Sequence, residues 1–75
     1  MKTIGEIMNQ RREAAVLSQH EVARRGGPRQ PYQSLLESDR RNRGISVGML
    51  LRWCSAIGCD PVEVFAEIVT ERSGE

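Results

Sequence analysis

Residues 28–37 read PRQPYQSLLE. Arg29, Gln30, Tyr32, Gln33 and Ser34 therefore stand within six consecutive positions. Their chemistry is recognition rather than bond making. A glutamine amide donates and accepts hydrogen bonds at once, and a guanidinium offers two parallel donors. Such groups suit the edge of a flat polar partner. Reactive chemistry has little to work with elsewhere. The chain holds one histidine, His20, and no glycine-rich phosphate loop. No nucleophile stands beside a base at useful spacing, so an enzyme is not expected. Cys54 and Cys59 form a C-x4-C pair with the histidine far away in sequence. Zinc usually takes four good ligands. The pair reads instead as two small buried thiols in a reducing compartment, with no metal and no cofactor.

Elements must position these side chains, and the apolar spacing predicts only helices. Apolar residues recur with a period near 3.6, and no useful length alternates with period 2. Thr3 followed by Glu6 is a capping-box pattern, with Ile4, Ile7 and Met8 as an apolar stripe behind it. This predicts a first helix to about Ala15. Ser18 and Glu21 repeat the pattern for a short second helix, which Gly26-Gly27 ends. Pro28 stops the chain from continuing as helix. Pro31 falls in the first turn of a third helix starting near Gln30, where backbone N–H groups lack intrahelical partners anyway. Ser46 caps a fourth helix that carries Leu50, Leu51, Trp53 and Ile57 and closes at Gly58. Asp60-Pro61 with Glu63 opens a fifth. Trp53 lies on the apolar stripe and is read as core.

The 75 residues make one domain, core about 4–69 with an acidic C-terminal end, whose small core favours help from a partner chain. No apolar run reaches the ~20 residues of a membrane span. The first residues lack the apolar region of a signal peptide. A cytoplasmic protein without membrane contact is expected. The formal net charge of +1 hides an uneven distribution. Residues 11–52 hold nine arginines against four carboxylates, a net +5, whereas residues 60–75 are −4. A basic middle beside an acidic tail suggests one face for a polyanion, against the alternative of ordinary solvated charge. Two short helices joined by a tight glycine turn suggest a helix-turn-helix, with the third helix as reader.

The segments SQHEVARRGG (18–27), QPYQSLLE (30–37) and LLRWCSAIGCDPVEVF (50–65) together resemble the Cro/CI-type helix-turn-helix family of phage and bacterial regulators. The likeness runs from about Ile4 to Phe65. It implies a compact all-α, five-helix, lambda-repressor-like DNA-binding domain. Two features depart from the family pattern. The loop between Glu37 and Leu50 looks two residues longer, and Gln33 stands where the family places a buried apolar residue. The resemblance also implies that Gln19 binds phosphate and that Glu37 pairs with an arginine of the first helix, here Arg12.

Two rotations of the third helix remain open. Periodicity puts Tyr32, Leu35 and Leu36 in the core and turns Gln33 outward, the favoured reading. The family register buries Gln33 with Leu36 and turns Leu35 toward the groove. Both expose Gln30 and Ser34. Arg29, Gln30, Tyr32, Gln33 and Ser34 are thus the candidate base contacts. A glutamine matches the N6/N7 edge of adenine, and Arg29 matches guanine O6/N7 or a phosphate. Tyr32 is either a phosphate or thymine-methyl contact or an amphipathic core edge. Gln19, Arg40, Arg41, Asn42 and Arg43 are candidate phosphate contacts, the last four against the alternative of a solvated loop. Arg24 and Arg25 could be only helix C-terminal charges.

The leading expectation is a sequence-specific DNA-binding transcriptional regulator: a small dimeric repressor reading a pseudo-palindromic operator in double-stranded DNA through helix three. A single such domain buries little surface on DNA, and a homodimer is the usual remedy. Its interface is expected around helices four and five, with Val64, Ile68 and Val69 as candidates and plain core as their alternative. The second expectation is a protein-binding module on the same fold, an antitoxin or antiactivator. That module would sequester a protein partner through the acidic fifth helix.

Overall fold

The computed structural model describes residues 2–38 and 44–73. They form five α-helices in the order α1 (Ile4–Ala14), α2 (Gln19–Arg24), α3 (Gln30–Ser38), α4 (Val47–Ile57) and α5 (Pro61–Ser73). No strand occurs among the described residues. The radius of gyration, 11.3 Å, is that of a well-packed chain of this length.

Local chemistry explains each boundary. Thr3 Oγ1 accepts the Glu6 backbone N–H at 3.1 Å and caps α1. At α2 the reciprocal box closes fully, with Ser18 Oγ accepting from the Glu21 N–H and the Glu21 carboxylate accepting from the Ser18 N–H. Those two contacts with Ser18 hold the Glu21 carboxyl below its usual range. Ser46 and Asp60 cap α4 and α5 by accepting from Met49 and Val62.

The turn after α2 requires its first glycine. Gly26 lies in the left-handed region at φ +94°. The Gly27 N–H reaches back to Val22 O at 3.0 Å and the Gly26 N–H to Ala23 O at 3.2 Å. These are the paired bonds of a Schellman closure. Gly58 closes α4 in the same left-handed conformation.

The core is a single cluster in which Ile7, Met8, Val22, Trp53, Cys54 and Val64 are almost fully buried. Helix α1 packs on α3, α4 and α5, and α2 packs on α3 and α4. The α1–α3 crossing is very close. A Cβ on Gly5 would collide with the backbone carbonyl of Leu36. Across from it, α5 lies along α1 through charge. Arg11 reaches Glu67 at 3.1 Å and Glu63 at 3.6 Å, and Lys2 reaches Glu67 at 3.5 Å. The Lys2 backbone N–H also donates to Glu71. The acidic face of α5 is therefore turned onto α1.

Candidate nucleic-acid interface

The core of the candidate site is a polar clamp between α1, α2 and α3. Arg12 Nε donates to Glu37 Oε2 at 3.0 Å and Nη2 to Oε1 at 2.8 Å, a bidentate pair. The carboxylate is nearly enclosed, with 7% of the Glu37 side chain accessible. Arg12 also donates through Nη1 to Leu17 O at 2.8 Å and through Nη2 to Asn9 Oδ1 at 2.7 Å. Hydrogen bonding to Glu37 holds the Arg12 pKa above its ordinary value. By linkage the stability that this raised pKa represents is fully present below the ordinary arginine range and is lost as pH rises through the folded value. Gln19 joins the same carboxylate, its Nε2 donating to Glu37 Oε1 at 3.0 Å. That bond uses one of its two amide hydrogens.

Gln33 is fully buried, and its expected outward position is corrected. Its Nε2 donates to Pro28 O at 2.6 Å and to Gln19 O at 2.9 Å. Those bonds remove most of the penalty on which the outward reading rested, because burial is costly chiefly for an unpartnered amide. Its Oε1 finds no protein partner. Exchanging the two amide atoms would set an oxygen against two carbonyls, so the orientation is determined by the neighbours. Gln33 therefore ties α3 to the first turn of α2 and to the connecting turn. Leu36 is buried with it, whereas Tyr32 and Leu35 are exposed. Relative to the periodic reading the helix is turned by roughly a quarter of a turn, at about 100° per residue.

The face opposite Gln33 and Leu36 carries Pro31, Ser34 and Leu35, flanked by Gln30 and Tyr32 and preceded by Arg29. All six are exposed. Ser38, also on this face, turns its hydroxyl back to Ser34 O. Leu35 is the surface residue that apolar periodicity assigned to the core. The signal that could have placed it was the family register. Arg24 at the end of α2 and Arg25, its C-cap, are exposed and form no ion pair among the described residues. Arg52 on α4 donates to Gly26 O at 3.2 Å and braces the turn. The expected phosphate contacts Arg40, Arg41, Asn42 and Arg43 lie outside the described residues.

Two of the three residues expected at a dimer or partner surface are core. Val64 is fully buried, and Ile68 is 9% exposed. Only Val69 is on the surface. The reason is the helix's orientation: Val64 and Ile68, four apart, share the stripe that faces inward. Cys54 is buried, and desolvation pushes its thiol up to about 12, leaving it protonated. The Cys59 N–H donates to Cys54 O at 3.0 Å across the α4 closure. No group of side chains able to hold a metal ion occurs among the described residues. No helix among them is long and apolar enough to cross a membrane.

Comparison with family models, with curated proteins and with solved structures gives no match for this chain.

Proposed function

We propose that this protein is a sequence-specific DNA-binding transcriptional regulator of the Cro/CI-type helix-turn-helix class, acting as a homodimer. In this reading α2 and α3 form the helix-turn-helix and α3 enters the major groove. Arg29 and Gln30 at its N-terminal end offer guanidinium and amide groups to base edges or a phosphate. Ser34 takes either a donor or an acceptor, and Leu35 and Tyr32 meet thymine methyl groups. Gln19 at the start of α2 holds a phosphate with its remaining amide hydrogen, and the exposed Arg24 and Arg25 at the other end of α2 add positive charge. The basic segment after α3 adds charge that carries no sequence information.

The observation that carries the reading is the clamp. Arg12, Gln19, Gln33 and Glu37 spend buried polar groups on fixing one short helix against two others. The opposite face of that helix is left exposed. A rigidly held helix with an exposed polar and small-residue face suits insertion into a groove.

The test is selection of bound duplexes from a random pool by the purified full chain, followed by footprinting of the winner. A discrete motif is expected. Gln30→Ala should relax the preference at one base pair by ~1–3 kcal/mol while leaving the others in place. Recovery of no motif, with binding that depends on salt alone, would remove the sequence-specific reading.

A further inference from the structure

The closure of α4 brings together the two cysteines of the chain, Cys54 and Cys59. Cys54 lies in the last turn of α4, Gly58 turns the chain at φ +88°, and Cys59 follows. The N–H groups of Gly58 and Cys59 both donate to Cys54 O, at 2.8 and 3.0 Å. The bond from Cys59 spans the turn six residues to one. In glycine closures that link sets the side chains of its two ends in contact. It also holds the two Cα atoms within about 6 Å of each other by ordinary bond lengths. Disulfides take Cα separations of ~4.4–6.8 Å.

The two thiols differ in access. Cys54 is wholly buried, whereas Cys59 is half-buried at the edge of the same apolar cluster. Desolvation is the first cause that pushes the Cys54 thiol up to about 12, and the neighbouring Cys59 thiol is the next. The two side chains therefore face each other. Arg11 of α1 stands close enough for its charge to act on Cys54 in the opposite direction. Its guanidinium is itself engaged by Glu63 and Glu67. An oxidant in solvent meets Cys59 first and reaches Cys54 through it.

We propose that Cys54 and Cys59 form a reversible intramolecular disulfide, a redox clip across the joint of α4 and α5, with Cys59 as the point of entry and Cys54 as the resolving thiol. The oxidant is a small-molecule disulfide of the oxidised-glutathione class. In the first exchange Cys59 gives up its proton and its sulfur attacks one sulfur of the oxidant. The oxidant's S–S bond breaks, and one glutathione leaves with that proton. In the second exchange Cys54 loses its proton and attacks the Cys59 sulfur. The mixed disulfide breaks, and the second glutathione leaves as a thiol. The protein gives up two electrons, and one oxidant molecule becomes two thiols. The second step is the slow one, because Cys54 is held protonated. In reducing compartments such bonds are transient and register redox state rather than build the fold. The clip does not depend on the DNA reading.

Mass spectrometry of the full chain in buffers of reduced and oxidised glutathione tests it. Wild type should lose about 2 Da by way of a glutathione adduct and regain it with dithiothreitol. The oxidised protein should run as a single chain on a non-reducing gel. It should melt about 5–15 °C higher than the reduced form, the gain for so short a loop less the cost of moving a buried sulfur. Cys54→Ala should stop at the adduct on Cys59. Cys59→Ala should react at least ~10-fold more slowly than wild type, since Cys54 then becomes accessible only when the fold opens. If Cys54→Ala weakens the fold, wild type alone decides, because release of the second glutathione is intramolecular and should not depend on oxidant concentration. A wild type that keeps the adduct without closing, or that links chain to chain, overturns the inference. An oxidised form that melts lower than the reduced one does so too, since the fold would then oppose the bond.

Discussion

Arg12→Ala should remove a large share of the stability of this domain. The substitution deletes both hydrogen bonds to Glu37 and leaves that carboxylate, 7% exposed, with the Gln19 amide as its remaining partner. It also strips the donor from Leu17 O, where the chain leaves α1. Breaking a buried pair from one side costs about 3–5 kcal/mol, mostly because the surviving charge is uncompensated. A domain of this length is stable by about 4–11 kcal/mol, at ~0.05–0.15 kcal/mol per residue. The variant should therefore melt about 15–30 °C lower, at ~4–8 °C per kcal/mol. Urea unfolding of Arg12→Ala, Glu37→Gln and the double variant gives the coupling between the two side chains. The double variant should recover much of the loss, since it no longer buries a charge. High salt should change the difference little, because an enclosed pair is poorly screened. A loss under ~1 kcal/mol with coupling below ~0.5 kcal/mol would refute the reasoning and mean that water reaches the pair.

Gly5→Ala should destabilise by about 3 kcal/mol or more, since its methyl would collide with the Leu36 carbonyl and neither backbone yields cheaply; a melting temperature equal to wild type would contradict this close approach. Val16→Gly should stabilise by about 0.5–1 kcal/mol, because Val16 sits at φ 57° and is 86% exposed, so strain of ~1–2 kcal/mol is relieved against a smaller entropic penalty; lower stability would refute it. Gln33→Leu should shift stability by no more than ~1 kcal/mol, yet speed amide exchange through residues 25–30, since the ties to Pro28 and Gln19 are gone; unchanged exchange there would show that the turn holds without them.

Helix existence and capping were legible because they depend on neighbours in sequence. Thr3, Ser18, Ser46 and Asp60 act within three residues, and the glycine turns act within five. The rotation of α3 was not legible from its own residues. Periodicity counts Leu35 and Tyr32 as apolar and Gln33 as polar, but a glutamine with two carbonyls waiting for it is inexpensive to bury. Those carbonyls belong to Pro28 and Gln19, and only the fold brings the second one near. The charge ledger misled for a similar reason. Arg11 and Arg12 were counted toward a basic face, yet each is consumed by a carboxylate far away in sequence. Gly5 carried no local signal at all, since its constraint lies in a helix more than thirty residues on. The same distance effect moved Val64 and Ile68 from an expected surface to the core and left Phe65 on the outside.

The glutamine at position 33 raises the question of why an apolar residue does not stand there. Leucine would end the isolation of Gln33 Oε1, a buried acceptor without a protein partner. It would also orphan Pro28 O, which accepts from Gln33 alone among the described hydrogen bonds. One unsatisfied oxygen would replace another, at about 1–3 kcal/mol each, so stability gives little preference. Geometry does distinguish them. A leucine packs against α2 from many angles, whereas two hydrogen bonds from one amide fix the turn and the start of α2 against α3 in a single arrangement. Arg12, Glu37 and Gln19 restrict the same pair of helices from the other side. Polar groups that contribute little net stability but define one orientation are suited to a helix whose exposed face must meet a partner in register, and α3 is the helix so held.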